Sequence, residues 1–138
     1  KTIRSIPKQS VGDIASRDVI TFAMDCSVKD ASKKLAENDI DGAPVIKDGK
    51  VVGVFTLTDL VRAIAEDKEN LTVGELMSTN VVIVNEDLKI ANAIEVMLKK
   101  SISRLIVADN NQTLLGIVTR TDLINTITNL DQFPIITN

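Results

Sequence analysis

The sequence predicts an α+β fold of two βαββα repeats that stack with pseudo-twofold symmetry. The phrase GVFTLTDL at residues 53–60 returns as GIVTRTDL at residues 116–123. Sliding the chain by 62 positions pairs Val11-Gly12 with Val73-Gly74, and apolar runs follow in the same order in both copies. Each copy has only about 55 residues, too few to bury enough apolar surface alone, so we expect the copies to share a core.

The first copy predicts a strand, a helix, a hairpin and a second helix. Ser27 and Asp30 form an S-x-x-D capping box at the start of the first helix. Asp-Gly at 48–49 is typical of the tight turn of a hairpin. The predicted elements are the strand at 19–22, the helix from Val28 to about Ala36, the hairpin strands around Val45-Ile46 and at 51–55, and the helix from about Thr58 to Ala65.

The second copy predicts the same order of elements. Its first helix has a stronger apolar stripe but begins after Lys89, where the first copy has Ser27. The predicted elements are the helix over Ile90, Ala93, Ile94, Met97 and Leu98, the hairpin strands around Ile106-Val107 and at 114–118, and the helix from about Thr121 to Ile127.

The domain organisation follows from the repeat. We expect residues 1–66 to hold an N-terminal segment and the first repeat, 67–72 a polar connector, and 73–129 the second repeat. Residues 130–138 are expected to form a C-terminal tail, whose Phe133 and Ile135-Ile136 would dock on the body or on a second chain.

Composition excludes several classes of protein. A net charge of −3 and a pI near 4.9 lack the basic excess of nucleic-acid binding, and with three Phe and neither Trp nor Tyr the chain is poor in stacking rings. Cys26 is alone, so no internal disulfide forms, and a small apolar role is expected for it. No apolar run approaches the ~20 residues of a membrane span. We expect a soluble cytoplasmic domain.

Catalytic motifs are missing from the sequence. It has no His, no cluster of Cys residues, no nucleophile beside an evident base, and neither a P-loop nor a G-x-G-x-x-G motif. We therefore expect neither catalytic residues nor a dedicated metal site, and we interpret the chain as not an enzyme.

The doubled phrase has two interpretations. Thr56-x-x-Asp59 and Thr119-x-x-Asp122 each follow an apolar strand, as helix caps do. A helix N-terminus also binds anions, its Thr hydroxyl can bond a phosphate, and a carboxylate three residues on can accept hydrogen bonds from two sugar hydroxyls. The pattern therefore fits a cap or a ribonucleotide site.

The sequence resembles a tandem pair of CBS (cystathionine β-synthase) domains, called a Bateman module, over about residues 11–129. The resemblance rests on the twin phrases, on IDGAPVIKDGKVVGV and ISRLIVADNNQTLLGI, and on the openings VGDIASRDVIT and VGELMSTNVVI. It implies a regulatory module that binds AMP, ADP, ATP or S-adenosylmethionine between repeats.

The resemblance also implies which residues bind the ligand. The T-x-x-D of one repeat would contact phosphate and ribose, and the base would lie against the other repeat. One site would combine Thr56 and Asp59 with Val82, Ile83, Ser103, Arg104 and Leu105; the other would combine Thr119 and Asp122 with Ile20, Thr21, Asp41, Gly42 and Ala43. Arg104 and Arg120 are the cations best placed for phosphate.

The two expected sites are unequal. Ile106 replaces the proline usual in the family, and Leu57 stands where the second copy has Arg120. We expect the Arg104 site to favour charged nucleotides and the Arg120 site to tolerate uncharged adenosyl compounds.

Three hypotheses for function remain open. In the first, the chain is a sensor that passes an adenosyl signal to a regulated partner or fused domain. In the second, it is a structural dimerisation module without ligand. In the third, it responds to Mg²⁺, with or without nucleotide, through the carboxylates of Asp59, Asp122, Asp41 and Glu86. The apolar faces of its amphipathic helices are wider than the core of one CBS pair requires. We therefore also expect a homodimer that forms a flat four-repeat disc.

Overall fold

A computed structural model of the chain describes residues 9–128, so the expected docking of Phe133 and Ile135-Ile136 lies outside the described residues. The elements in chain order are α1 (Val11–Ile14), β1 (Phe22–Ala23), α2 (Val28–Glu37), β2 (Gly42–Lys47), β3 (Lys50–Thr56), α3 (Leu57–Ala65), α4 (Val73–Leu76), β4 (Ile83–Asn85), α5 (Ile90–Lys100), β5 (Arg104–Ala108), β6 (Leu114–Thr119) and α6 (Arg120–Thr128). The predicted α+β class, with two repeats, is confirmed.

Each repeat forms one three-stranded mixed sheet. The strand orders are β1-β2-β3 and β4-β5-β6, and in both sheets the first pair is parallel and the second antiparallel. The hairpin of the first sheet turns at Asp48 (φ 52°) and Gly49 (φ 79°), as the Asp-Gly pair predicts for a turn with two positive φ angles. Strand β1 is shorter than the predicted run at 19–22, because only Phe22 and Ala23 pair with β2.

Two apolar clusters form the cores. Around the first sheet, the rings of Phe22 and Phe55 meet edge to face with centroids 5.8 Å apart. Around the second sheet, the core is aliphatic, with Ile90, Leu105 and Val118 fully buried. The same sheet topology thus has an aromatic pair in one core and aliphatic side chains in the other.

The long helices begin differently in the two repeats. At α2 the Ser27 hydroxyl accepts a hydrogen bond from the backbone N–H of Asp30 at 3.0 Å, which is the Ser27 half of the predicted capping box. At α5 the N-cap is Lys89, whose side chain makes no capping hydrogen bond. Helix α5 ends at Ser101 in a left-handed conformation (φ 54°).

The short helices α1 and α4 were not predicted. Each begins with a reciprocal capping box, formed by Ser10 with Asp13 and by Thr72 with Glu75. The S-x-x-D and T-x-x-E spacings are visible in the sequence, but a single helical turn has too little apolar periodicity to be recognised.

The compact units of the structure do not coincide with the sequence repeats. The β1–β3 unit comprises residues 19–81 and 111–113, and the β4–β6 unit comprises, within the described range, residues 9–18, 82–110 and 114–128. Helix α1 therefore belongs to the β4–β6 unit, and α4 belongs to the β1–β3 unit. Val11 and Val73, both fully buried, anchor these helices in the respective cores.

The segment after each short helix lies along the strand that leads into the repeated phrase. Ser16 and Ile117 exchange two backbone hydrogen bonds of 2.9 and 3.0 Å, and Val54 and Ser78 exchange two of 2.9 Å. We call residues 15–17 and 77–79 the edge segments. Each edge segment is thus hydrogen-bonded to the strand residue that stands two positions before the Thr of T-x-x-D.

The glycine of the repeated phrase permits this close approach. A Cβ atom on Gly116 would stand 2.7 Å from the carbonyl oxygen of Ser16, and one on Gly53 would stand 2.8 Å from that of Ser78. Real side chains do not tolerate such distances to backbone. Close packing, rather than a ligand, therefore accounts for the glycine at the start of each phrase.

Among the described residues, no helix is long and apolar enough to cross a membrane.

Candidate functional site

Thr56 and Asp59 cap helix α3. The Asp59 Oδ2 atom accepts hydrogen bonds from the backbone N–H of Thr56 at 2.9 Å and from its hydroxyl at 3.0 Å. The Thr56 hydroxyl in turn accepts from the backbone N–H of Asp59 at 3.3 Å. The capping interpretation of the phrase is therefore correct here, and any role in binding comes in addition to it.

Thr119 and Asp122 form the equivalent box at α6. The Asp122 Oδ2 atom accepts from the backbone N–H of Thr119 at 2.8 Å, and the Thr119 hydroxyl accepts from the backbone N–H of Asp122 at 3.1 Å. Both boxes place a hydroxyl and a carboxylate at the end of a strand, where a nine-residue helix begins.

Burial distinguishes these two boxes from the others in the chain. The acidic residues at the same position of the helix starts α1, α2 and α4, namely Asp13, Asp30 and Glu75, are all exposed. Asp59 is only 7% exposed and is the one charged residue in the buried class among those described, while Asp122 is half-buried. Withdrawing a carboxylate from water is unfavourable unless it is hydrogen-bonded, and a plain helix cap does not require it.

Arg62 adds a feature to the first box. Its guanidinium Nη1 lies 3.4 Å from the Asp59 Oδ1 atom, and the two side chains are 58% and 7% exposed. Sequence reasoning did not select Arg62, although Asp-x-x-Arg is a recognisable i,i+3 ion-pair spacing on a helix. Leu57, Thr58, Val61 and Arg62 line an open pocket beside this helix start.

The loop before β2 contacts the first box. The backbone N–H of Leu57 donates to the Asp41 carbonyl at 2.8 Å, and Gly42 pairs with Thr56 across the sheet. A Cβ atom on Gly42 would be 3.0 Å from the Thr56 methyl group, so glycine permits this approach. Ala43 is buried beside Gly42.

The remaining predicted residues of the β1–β3 unit, Ile20 and Thr21, lie half-buried just before β1. The Thr21 carbonyl accepts a hydrogen bond from the Lys34 ammonium at 2.9 Å. Ile20 packs against the core cluster of this unit.

The loop before β5 contacts the second box. Arg104 stands opposite Thr119 in the sheet, and the backbone N–H of Arg120 donates to the Ser103 carbonyl at 2.9 Å. The Arg120 guanidinium donates to the Ile102 carbonyl at 3.3 Å, so a backbone oxygen of its own unit holds it.

The other predicted residues of the β4–β6 unit differ in burial. Val82 and Ile83 are half-buried, whereas Leu105 is fully buried. Leu105 would therefore offer a ligand its backbone rather than its side chain.

Each T-x-x-D is thus joined to the loop of its own repeat. The predicted sites instead pair Thr56 and Asp59 with Arg104, and Thr119 and Asp122 with Asp41, which are residues of different units. That pairing stays a prediction.

Cysteine and metal chemistry have no separate site in the described part of the chain. Burial, followed by the nearby charge of Asp30, raises the pKa of the Cys26 thiol, which packs against the β1–β3 core. A raised pKa keeps the thiol protonated and unreactive, in agreement with its expected apolar role. The described residues include no group of three or more His, Cys, Asp or Glu placed to hold a metal ion.

The fold and the doubled helix start define a duplicated α+β module. The model of the CBS domain matches residues 11–66 and 73–129. The chain therefore belongs to the CBS domain family and contains a tandem CBS pair.

Curated relatives are mostly longer than this chain. It is 37% identical over 134 residues to the uncharacterised protein MJ1232 of Methanocaldococcus jannaschii, covering 96% of this chain and 43% of that protein. It is 34% identical over 118 residues to the L-aspartate semialdehyde sulfurtransferase of the same organism, covering 85% of this chain and 23% of the enzyme. The similarity to this enzyme thus spans less than a quarter of its length.

Solved structures of CBS pairs resemble the chain closely. The CBS pair of protein MJ0100, in complex with 5′-methylthioadenosine and S-adenosyl-L-methionine, has a TM-score of 0.77 at 32% identity, covering 88% of this chain and 98% of that one. Arabidopsis thaliana CBSX2, in complex with AMP, has a TM-score of 0.79 at 27% identity, covering 87% and 96% of the two chains.

Proposed function

We propose that this CBS pair is a regulatory module that binds adenine nucleotides or other adenosyl compounds, such as AMP, ADP, ATP or S-adenosylmethionine. The observation that carries the proposal is the doubled T-x-x-D box with a carboxylate withdrawn from solvent, which the exposed caps of the same chain lack. A hydroxyl, a carboxylate and the positive end of a helix dipole match the phosphate and ribose of a nucleotide.

The solved relatives support the class of ligand. One CBS pair is bound to 5′-methylthioadenosine and S-adenosyl-L-methionine, and another is bound to AMP. These ligands share adenine and ribose and differ at the 5′ position. We therefore expect the common adenosyl part to be recognised here, and the 5′ group to be read by charges specific to this chain.

The output of the module is regulation rather than catalysis. A ligand shifts an equilibrium only when it binds one arrangement of the protein better than another, and the signal would pass to a partner or fused domain. The sulfurtransferase and a Thermoplasma acidophilum inosine-5′-monophosphate dehydrogenase match this chain over only 23% and 22% of their own length. We propose a cytoplasmic, non-enzymatic role.

Thermal stability in the presence of ligands tests the proposal. A ligand that binds only the folded state at about 100 times its Kd adds about 2.7 kcal/mol of stability. We expect AMP, ATP or S-adenosylmethionine to raise the melting temperature, with inosine compounds as the control. If no adenosyl compound shifts it, the chain is better explained as a structural dimerisation module.

Asp59→Asn and Asp122→Asn test the assigned carboxylates. Each amide can keep one capping hydrogen bond but cannot replace a carboxylate that accepts from two ribose hydroxyls, a loss of about 1–3 kcal/mol. Each variant should weaken one class of site while the fold remains intact, as checked by calorimetric titration and circular dichroism. Parental binding in both variants would leave only the capping role.

We expect Mg²⁺ to affect this protein only when a nucleotide is bound. Since the described residues hold no group of acidic side chains placed for a metal, we expect Mg²⁺ alone to leave the melting temperature unchanged and Mg²⁺ with ATP to act through the phosphates. A shift with Mg²⁺ alone would favour a metal-responsive module.

Arg104 and Arg120 are expected to differ in their importance for phosphate. The Arg120 guanidinium already donates to the Ile102 carbonyl, which supports the expectation that it contributes little to phosphate binding. Arg104→Ala should lower ATP affinity about tenfold, the loss of one charge-assisted contact, and barely change adenosine affinity. The reverse outcome, with Arg120→Ala abolishing ATP binding, would exchange the two sites.

We also propose that the chain forms a homodimer. Leu98 on α5 is 74% exposed, and Val61 and Ile64 on α3 are 60% and 55% exposed. Apolar side chains exposed along helices favour burial against a second copy. Sedimentation over a wide concentration range should give a dimer mass that Val61→Asp reduces, and a monomer mass throughout would contradict the proposal.

A further inference from the structure

We propose that Arg62 determines the ligand selectivity of the Thr56–Asp59 site, by favouring nucleoside phosphates over uncharged nucleosides. The inference rests on the proposed function, because it concerns what that site prefers. Its starting point is a difference between the two T-x-x-D boxes that lies within each unit.

Both oxygens of the Asp59 carboxylate accept hydrogen bonds within the chain. Oδ2 accepts two hydrogen bonds from Thr56, and Oδ1 accepts from the Arg62 guanidinium at 3.4 Å. A ribose hydroxyl that donates to Oδ1 must therefore compete with Arg62. The contact is long and Arg62 is 58% exposed, so the arginine can leave without disturbing the core.

The second box has no arginine at the equivalent position. The Asp122 Oδ2 atom accepts from the Thr119 backbone N–H, as Asp59 Oδ2 does from Thr56. The residue three positions after Asp122 is Asn125, which is exposed. An arginine in the first box and an asparagine in the second thus occupy the same position of the helix.

The chemistry of the ligand decides what displacement of Arg62 costs. With an uncharged nucleoside, the guanidinium loses its carboxylate partner and gains no anion in return. With a nucleoside phosphate, the same guanidinium remains beside the site and gains a phosphate, which it binds with favourable geometry. Arg62 therefore lowers the affinity for adenosine relative to ATP, whereas the neutral Asn125 cannot supply this charge beside Asp122.

A single-site background isolates the effect. With Asp122→Asn to weaken the other site, titration calorimetry gives the affinities of ATP and adenosine for the Thr56–Asp59 site. Replacing Arg62 by Asn, the residue at the equivalent position of the second repeat, should raise adenosine affinity and lower ATP affinity. We expect the ratio of the two affinities to fall about tenfold, as for one charge-assisted contact.

Two further variants test whether a change in the ratio of ATP to adenosine affinity comes from the charge of residue 62 or from a change in structure. Arg62→Lys keeps the charge and should retain most of the preference for ATP. In an Asp59→Asn background, Asn125→Arg should raise the preference of the second site for ATP over adenosine. Because residues 62 and 125 are both exposed, melting temperatures without ligand should change little.

The outcomes are distinct. A fall in the ratio with Arg62→Asn, together with its rescue by Arg62→Lys, supports the inference. If the Asp122→Asn background binds both ligands and Arg62→Asn leaves their ratio unchanged, the inference is wrong while the proposed function stands. If the parent chain binds no adenosyl compound, the proposed function fails and the inference fails with it.

Discussion

The β1–β3 and β4–β6 units share a topology and differ in the side chains that complete it. Both have a parallel and an antiparallel strand pair, an edge segment against glycine and a capped final helix. The β1–β3 unit has an aromatic pair in its core and an ion pair at its box. The β4–β6 unit has an aliphatic core, and its edge segment is held by Arg17, whose guanidinium donates to the carbonyls of Gly12 at 2.8 Å and Leu115 at 3.2 Å.

This comparison separates what the framework requires from what a site can vary. Glycine and T-x-x-D recur because backbone approach and helix capping require them in both units. Arg62 and Arg17 do not recur, since Asn125 and Thr79 stand at the equivalent positions. The residues that differ between the units are therefore the better candidates for unequal function.

Phe55→Ala should give the largest change in stability. The ring is fully buried and packs edge to face on Phe22, so its removal leaves a cavity and should cost about 3–5 kcal/mol. Val118→Ala, at the equivalent position, should cost less, about 1–3 kcal/mol, because less apolar surface is lost. Urea unfolding measures both, and equal losses would contradict the contrast between the two cores.

Gly116→Ala should destabilise the β4–β6 unit by about 1–3 kcal/mol. The added methyl group would meet the Ser16 carbonyl at 2.7 Å and force the edge segment away from β6, which outweighs the smaller entropic gain of replacing glycine. Hydrogen exchange of the Ser16 and Ile117 amides should accelerate. Gly53→Ala is the matched variant and should release Ser78 and Val54 instead; unchanged exchange would show that the edge segments are not held by close packing.

Asp59→Ala should cost more stability than Asp122→Ala. The buried Asp59 carboxylate accepts three hydrogen bonds, from the Thr56 N–H, the Thr56 hydroxyl and Arg62, so its loss should cost about 1–3 kcal/mol. The half-buried Asp122 carboxylate accepts from the Thr119 N–H, and the loss of this cap should cost about 1 kcal/mol. Thermal unfolding without ligand measures the difference. A larger loss for Asp122→Ala would reverse the proposed order of the two boxes.

Ser27→Ala should give the smallest change, about 1 kcal/mol, through the lost cap of α2. Ser27→Thr retains a hydroxyl and should stay close to the parent in melting temperature. If Ser27→Ala leaves the melting temperature unchanged as well, the Ser27 cap of α2 contributes nothing to stability that α5 lacks.

Local chemistry is why much of the fold could be predicted from the sequence. The Asp48-Gly49 turn, the Ser27 cap and the repeated phrases depend on residues close together in the chain, and each has the predicted structure. The bounds of α3 and α6 lie within one residue of the prediction, because an apolar stripe and a capping box mark the same helices.

Only the tertiary structure decided how the segments combine. Nothing local indicates that Val11 packs with the second repeat and Val73 with the first, because the two openings are nearly identical and either core would accept a valine. Burial likewise distinguishes Asp59 from Asp13, although both belong to boxes of the same spacing. The sequence by itself determined the duplicated α+β repeats and their caps, since these depend on periodicity and neighbouring residues. The tertiary structure decided which carboxylates leave water and which strand each edge segment joins, since these depend on contacts between residues far apart in the chain.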